Sequence, residues 1–178
     1  MRESMSGSVT VSPATAEEID AAMAVWQHSH MIRRNGRPLA RAHVRSAYAR
    51  MAAPGAKLLL AREEGRGEEG APGIIGTILG LQGLKDDGTG PPEPGLLHLS
   101  LLSVAPDRWG QHVGRTLLDA VVADGRERGY AEAQLWTHAD NLRANRLYRA
   151  LGFRRTGRVK IDDWGELLVH YRRPLAQP

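Results

Sequence analysis

The sequence predicts a mixed α/β (α+β) fold, and three observations carry that reading. Leu96 to Val104 is a short, mostly apolar run closed by Pro106, as a buried strand would be. Directly after a turn containing Gly110 and Gly114, the apolar residues Val113, Leu117, Leu118, Val121 and Val122 recur at helical spacing. A second apolar run, Ala133 to Thr137, leads into another helical stripe, Ala144, Leu147, Tyr148 and Leu151.

The remaining elements follow in order. Val9 to Val11 suits a short first strand. Thr15 with Glu18 three residues on is a capping box, and Ile19, Ala22, Met23 and Trp26 behind it form a core-facing helical stripe. Gln27 to Pro38 breaks that stripe and reads as a loop, and Ala40, Val44, Ala47 and Met51 describe a second helix ended by Pro54-Gly55. Lys57 to Arg62 and Gly73 to Leu84 read as strands, joined by a solvated Gly/Glu-rich connection over Glu63 to Pro72. Lys85 to Gly95 reads as a loop, and the chain finishes as a hairpin, Phe153 to Lys160 and Glu166 to Arg172, turning near Asp162 to Gly165. No internal repeat or boundary divides the 178 residues, so a single domain over 1–178 is expected, with 1–7 and 174–178 as flexible tails.

Composition narrows the function. There are no cysteines, which excludes disulfides, thiolate metal sites and a cysteine nucleophile. His28 and His30 stand two apart, on different faces of a helix, so no metal is expected. The net charge of +4 favours a polyanionic ligand, but acidic residues are interspersed and no Lys/Arg block suggests nucleic acid. No apolar run reaches the ~20 residues of a membrane span, and no signal-peptide core stands at the N-terminus, so a cytoplasmic chain with no membrane partner is expected.

The stretch from Trp109 to Arg115 is the candidate anion site. The first turn of a helix presents amides without intrahelical acceptors, and the macrodipole adds partial positive charge there. Glycines let a phosphate approach the backbone closely. The spacing matches neither G-x-x-x-x-G-K-[ST] nor G-x-G-x-x-G, so the two commonest nucleotide motifs are absent, and a plain strand-to-helix connection is the alternative.

A second motif narrows the choice. Asn141, Ala144, Tyr148, Gly152 and Phe153 fall on every fixed position of N-x-x-A-x-x-x-Y-x-x-x-G-F. With the glycine turn upstream, this resembles the GNAT family of acyl-CoA-dependent N-acetyltransferases, in element order over about residues 8 to 173. The family's phosphate loop, [QR]-x-x-G-x-[GA], is matched at Gly114, while His112 stands where the middle glycine is usual and Trp109 where the basic or amide residue is usual.

The resemblance implies a mixed, mainly antiparallel sheet with a splayed central strand pair, flanked by helices. It implies acetyl-CoA as co-substrate, with the backbone of Leu102 and Val104 meeting the pantetheine. The amides of Trp109, Gly110, Gln111, His112, Val113, Gly114 and Arg115 would meet the pyrophosphate. Asn141 would bind the pantetheine or shape its loop, and Arg143 and Arg146 would reach the outer phosphates or form a solvated basic face. Tyr148 would protonate the leaving thiolate, its alternative being core packing. The family often uses a glutamate on the central strand as base, and residues 96–104 have no carboxylate. His98, sharing a strand face with Ser100, is then the candidate base, with His138 and Asp140 as alternatives and a structural histidine as the bland reading.

The function expected is transfer of acetyl to a primary amine of a small molecule or peptide within a ternary complex, by a monomer or homodimer. The alternative is a non-catalytic acyl-CoA-binding or regulatory module. Arg33, Arg34 and Arg37, on the segment that usually walls the acceptor site in this family, hint at an acceptor bearing a carboxylate or phosphate.

Overall fold

The computed structural model describes residues 7–67 and 73–175. Its strands are β1 (Val9–Pro13), β2 (Lys57–Glu63), β3 (Gly73–Leu84), β4 (Pro92–Val104), β5 (Glu132–His138), β6 (Arg154–Ile161) and β7 (Leu167–Pro174). The α-helices are α1 (Ile19–Arg33), α2 (Arg41–Met51), α3 (Val113–Glu127) and α4 (Leu142–Ala150). The strands form one seven-stranded sheet in the order β1-β2-β3-β4-β5-β7-β6. Its pairs β1–β2, β5–β7 and β6–β7 are antiparallel, and β4–β5 is parallel. This is the mixed, mainly antiparallel sheet that the sequence led us to expect.

The chain divides into two compact units, one of residues 1–79 with 101–117 and the other of 80–100 with 118–178. In the first unit, Nη2 of Arg62 on β2 donates to both Glu18 carboxylate oxygens at 2.9 and 2.7 Å, and that carboxylate also accepts the Thr15 N–H at 2.8 Å. The two helices of this unit meet through rings. Trp26, fully buried, stacks on His43 at 5.5 Å and tilts against His30 at 4.9 Å.

Those ring contacts explain the main departure from the sequence reading. The segment beyond Gln27 is helical to Arg33 rather than looped, because His30 continues the packing stripe of Trp26 in polar guise. The stop comes at Asn35 and Gly36, both left-handed, where the Gly36 N–H returns to the Met31 carbonyl at 2.8 Å in a Schellman closure. Two smaller departures are the earlier start of β4, at Pro92, and a 3-10 turn at Pro106–Arg108. Residues 68–72 of the Gly/Glu-rich connection, and the outermost residues of both tails, lie outside the described residues.

In the second unit, partner registers sort the side chains by sheet face. Leu97 pairs with Ala133, and Leu135 with Tyr171. These residues turn toward α3 and α4: Leu97 presses against Gly125 of α3, where an added Cβ would stand 2.7 Å from its Cδ2. His98 pairs with Gln134, and Trp136 with His170, so these four share the opposite face.

Candidate active site

The glycine turn is held from behind by charge. The Arg108 Nε–H is shared between the two Glu63 carboxylate oxygens at 3.1 and 3.0 Å, and Arg66 makes a bidentate contact with Asp107 at 2.8 and 3.0 Å. The Arg66 guanidinium, through its hydrogen bonds, holds the Asp107 carboxyl below the usual carboxylate range. The Trp109 indole donates to the Val104 carbonyl at 2.8 Å, tying the turn to the end of β4.

Beyond Trp109 the backbone is left-handed at Gly110 (φ 77°) and again at His112 (φ 64°). Gly110 meets that demand without strain, whereas a left-handed L-residue costs about 1–2 kcal/mol. His112 thus occupies a position whose dihedral favours glycine, and its side chain is exposed. Gly114, by contrast, lies within α3, where no left-handed dihedral is required. The Trp109 N–H is directed to the Pro106 carbonyl at 3.3 Å, and the first α3 bond runs from the Thr116 N–H to His112 at 3.0 Å. The turn's anion-binding potential therefore centres on the amides at the start of α3 rather than on Trp109.

β4 carries a break of its own. Its parallel register with β5 runs from Leu96↔Glu132 to Leu99↔Leu135, and β4 continues to Val104. Leu101 is left-handed (φ 53°), and its carbonyl accepts from the Thr77 hydroxyl at 2.8 Å. Leu102 and Val104 follow this twist, both half-buried.

Tyr148 lies on the buried stripe of α4, 6% exposed. Its ring meets Phe153 edge-on at 6.0 Å and Tyr171 at 5.8 Å. Burial pushes the phenol well above its ordinary range, and a hydrogen bond with Thr137 offsets this only in part. The group is therefore a protonated phenol at neutral pH. Asn141 is the N-cap of α4, its Oδ1 accepting the Ala144 N–H at 3.3 Å, which favours the loop-shaping role among its two expected ones. Arg143 and Arg146 are exposed on the same helix.

Asn145, which the sequence reading passed over, is the clamp of this region. Its amide donates to the carbonyls of His138 and Asn141 at 3.0 and 2.8 Å. Its oxygen accepts from the Tyr171 hydroxyl at 2.6 Å and from Arg155 at 3.2 Å. Motif spacing gave no hint of it, because Asn145 falls on a variable position.

The opposite face of the second unit is polar. His98 Nδ1 lies 3.5 Å from Gln134 Nε2, Gln134 Oε1 lies 2.9 Å from His170 Nε2, and His170 Nδ1 lies 2.7 Å from the Thr156 hydroxyl. Burial, together with the charges of Arg158, Arg172 and Lys160, lowers the His170 pKa to about 4, so its ring is neutral. His138 sits at the end of β5, with Nε2 at 3.1 Å from Asp162 and 3.0 Å from Glu166. Burial pushes the Asp162 carboxyl up, but the N–H groups of Glu166 and Trp164 and the His138 ring outweigh it and leave it below the usual range. These three donors lie within 4.8 Å of one another, close enough for a metal ion, and the contacts as they stand are those of an imidazole between two carboxylates. Gln134, Trp136 and His138 alternate along β5 and so share one face; their partners come from β6, β7 and the turn between those two strands.

Comparison with known proteins places this geometry in a class. The fold is that of the acetyl-CoA-dependent acetyltransferases. The ribosomal-protein-S18-alanine N-acetyltransferase of Escherichia coli superimposes with a TM-score of 0.69 at 19% identity, over 96% of each chain. The PaiA N-acetyltransferase of Thermoplasma acidophilum, solved with coenzyme A, gives 0.62 at 16% identity, over 93% of this chain and 99% of that one. Residues 16–153 match the model of the acetyltransferase (GNAT) family, and the chain belongs to that family. It is 37% identical over 87 residues to human N-acetyltransferase 8B, covering 46% of this chain and 38% of the relative. It is 36% identical over 99 residues to mycothiol acetyltransferase of Clavibacter sepedonicus, covering 56% of this chain and 27% of the relative. The chain thus spans well under half the length of these curated relatives.

Proposed function

We propose that this chain transfers an acetyl group from acetyl-CoA to a primary amine of a small molecule or peptide, by direct attack within a ternary complex. The observation that carries the reading is the passage from β4 through the left-handed turn at Gly110 and His112 into α3. It supplies amides at a helix N-terminus for a pyrophosphate, on a strand that runs beyond its register with β5.

Acetyl-CoA supplies the activated thioester; the chain supplies position and protons. The amides from Gly110 to Arg115 bind the pyrophosphate, and the backbone of Leu102 and Val104 pairs with the pantetheine amides as an added strand would. Tyr148, a neutral phenol at the pH of reaction, gives its proton to the departing thiolate sulfur. His98 takes the proton that the acceptor nitrogen loses. Arg37, exposed past the end of α1, offers charge to an acceptor carboxylate or phosphate, whereas Arg34 is itself buried. Residues 1–178 work as one catalytic domain, as a monomer or homodimer in the cytoplasm.

A panel of amines offered with acetyl-CoA, read by thiol release, tests the proposal. At least one amine should raise thiol release above the amine-free rate. Tight CoA binding with no amine-dependent release would make the chain a binding module instead.

A further inference from the structure

His138, Asp162 and Glu166 meet although no spacing in the sequence announces them, His138 and Asp162 being 24 residues apart. His138 is the last residue of β5, Asp162 directly follows β6, and Glu166 directly precedes β7. We propose that His138 Nε2, Asp162 Oδ2 and Glu166 Oε2 form a binding site for one divalent transition-metal ion of the zinc type, which ties the β6–β7 turn to the end of β5.

The backbone holds the two carboxylates in place. Asp162 Oδ1 accepts the N–H groups of Trp164 and Glu166, each at 2.9 Å. The other oxygen of that carboxylate, Oδ2, lies 3.1 Å from His138 Nε2. The Asp162 N–H is donated to the Glu166 carbonyl at 2.9 Å and the Gly165 N–H to the Asp162 carbonyl at 3.0 Å, which closes the turn. The Ala139 N–H, next along the chain from His138, is donated to the Leu167 carbonyl, next along from Glu166, at 2.8 Å. Both carboxylates therefore ride on one closed turn, and that turn is hydrogen-bonded to the end of β5.

Spacing and charge both favour a cation. Glu166 Oε2 stands 3.0 Å from the same nitrogen that Asp162 Oδ2 approaches. Ligands about 2.0–2.2 Å from a zinc ion stand about 3.0–3.6 Å from one another in tetrahedral or octahedral array. All three donors lie within 4.8 Å of one another, so small rotations of the carboxylates close the set. One ring nitrogen carries at most one proton, and a protonated imidazole sets one positive charge against two negative ones. A divalent ion on the neutral ring balances both carboxylates and takes the place of that proton. One imidazole nitrogen with two carboxylate oxygens suits zinc and its first-row neighbours, whereas calcium takes oxygen ligands alone. The side chains keep 15% exposure at His138 and Asp162 and 27% at Glu166, so water can reach the remaining coordination positions.

The test is calorimetric titration of zinc chloride into chelator-stripped protein, with the melting temperature followed in parallel. Wild type should take up one ion per chain to saturation and melt higher for it. Glu166→Gln and Asp162→Asn keep side-chain size and remove one negative charge each. Each should weaken zinc binding by at least about 10-fold, the loss that even a disturbed supporting partner of a ligand brings. His138→Ala should weaken it further, and His28→Ala, which removes an exposed imidazole outside the cluster, should titrate as wild type. Glu166→Gln leaves the backbone contacts of the turn untouched, so it decides the case if Asp162→Asn fails to fold. No saturable uptake of one ion per chain, or equal zinc affinity in wild type and Glu166→Gln, overturns the proposal. So does uptake that His28→Ala abolishes. The titration needs no acetyl-CoA, so its result stands apart from the acetyltransferase reading.

Discussion

Tyr148 and His170 are two buried titratable groups that burial drives in opposite directions, each toward its neutral form. For Tyr148 the neutral form is the useful one. Tyr148→Phe keeps the ring contacts with Phe153 and Tyr171 and removes only the hydroxyl. Turnover should fall on the order of 10²-fold, with CoA affinity unchanged, as read by steady-state kinetics and calorimetry. A wild-type rate in this variant would leave the phenol a packing group. For His170 the neutral form makes folding pH-dependent. Its folded pKa of about 4 lies below the ordinary value of 6.5, so the unfolded chain binds the proton first as pH falls. Its contribution is complete above about 6.5 and is lost toward 4, by about 1.4 kcal/mol for each pH unit crossed while the native ring stays neutral. Urea midpoints measured from pH 7 to 4 should therefore fall less steeply in His170→Gln than in wild type.

The elements differ in how much of themselves they showed in the sequence. α3 and α4 were legible because their apolar stripes have helical spacing and their first turns follow recognisable punctuation. The last two turns of α1 were not, since His28, His30 and Arg33 are polar, and His30 joins the core through its contact with Trp26, which no hydropathy pattern registers. The site was legible where the chemistry is local, as in the turn at 109–115 and the motif containing Tyr148. It was illegible where partners come from distant segments, as with the contacts that join Thr156, His170 and Gln134 and the pairing of His138 with Asp162. Asn145 is the clearest case, a buried side chain whose four partners come from β5, the α4 N-terminus, β6 and β7. Asn145→Leu would remove the acceptor of the buried Tyr171 hydroxyl proton, at about 1–3 kcal/mol for the group left unsatisfied, while the His138 carbonyl keeps the Asn141 N–H at 3.1 Å. Chemical denaturation should show that loss. Gly125→Val in α3 should cost about 1–3 kcal/mol by overpacking, because Leu97 already stands within 2.7 Å of the Cβ position.

At the scale of the whole molecule, the net charge of +4 favours a polyanionic co-substrate, and binding should be visible as stability. Coenzyme A at about 100 times its dissociation constant should add about 2.7 kcal/mol by mass action, raising the melting temperature. A melt indifferent to millimolar CoA would contradict the proposed site. The account stands most directly on the fate of the acetyl group itself, followed by mass spectrometry of an amine acceptor alongside free thiol. Acetylated amine should accumulate one for one with released CoA, and only in the presence of the protein. Thiol release with no acetylated amine, or binding of acetyl-CoA with neither product for any amine, would contradict it.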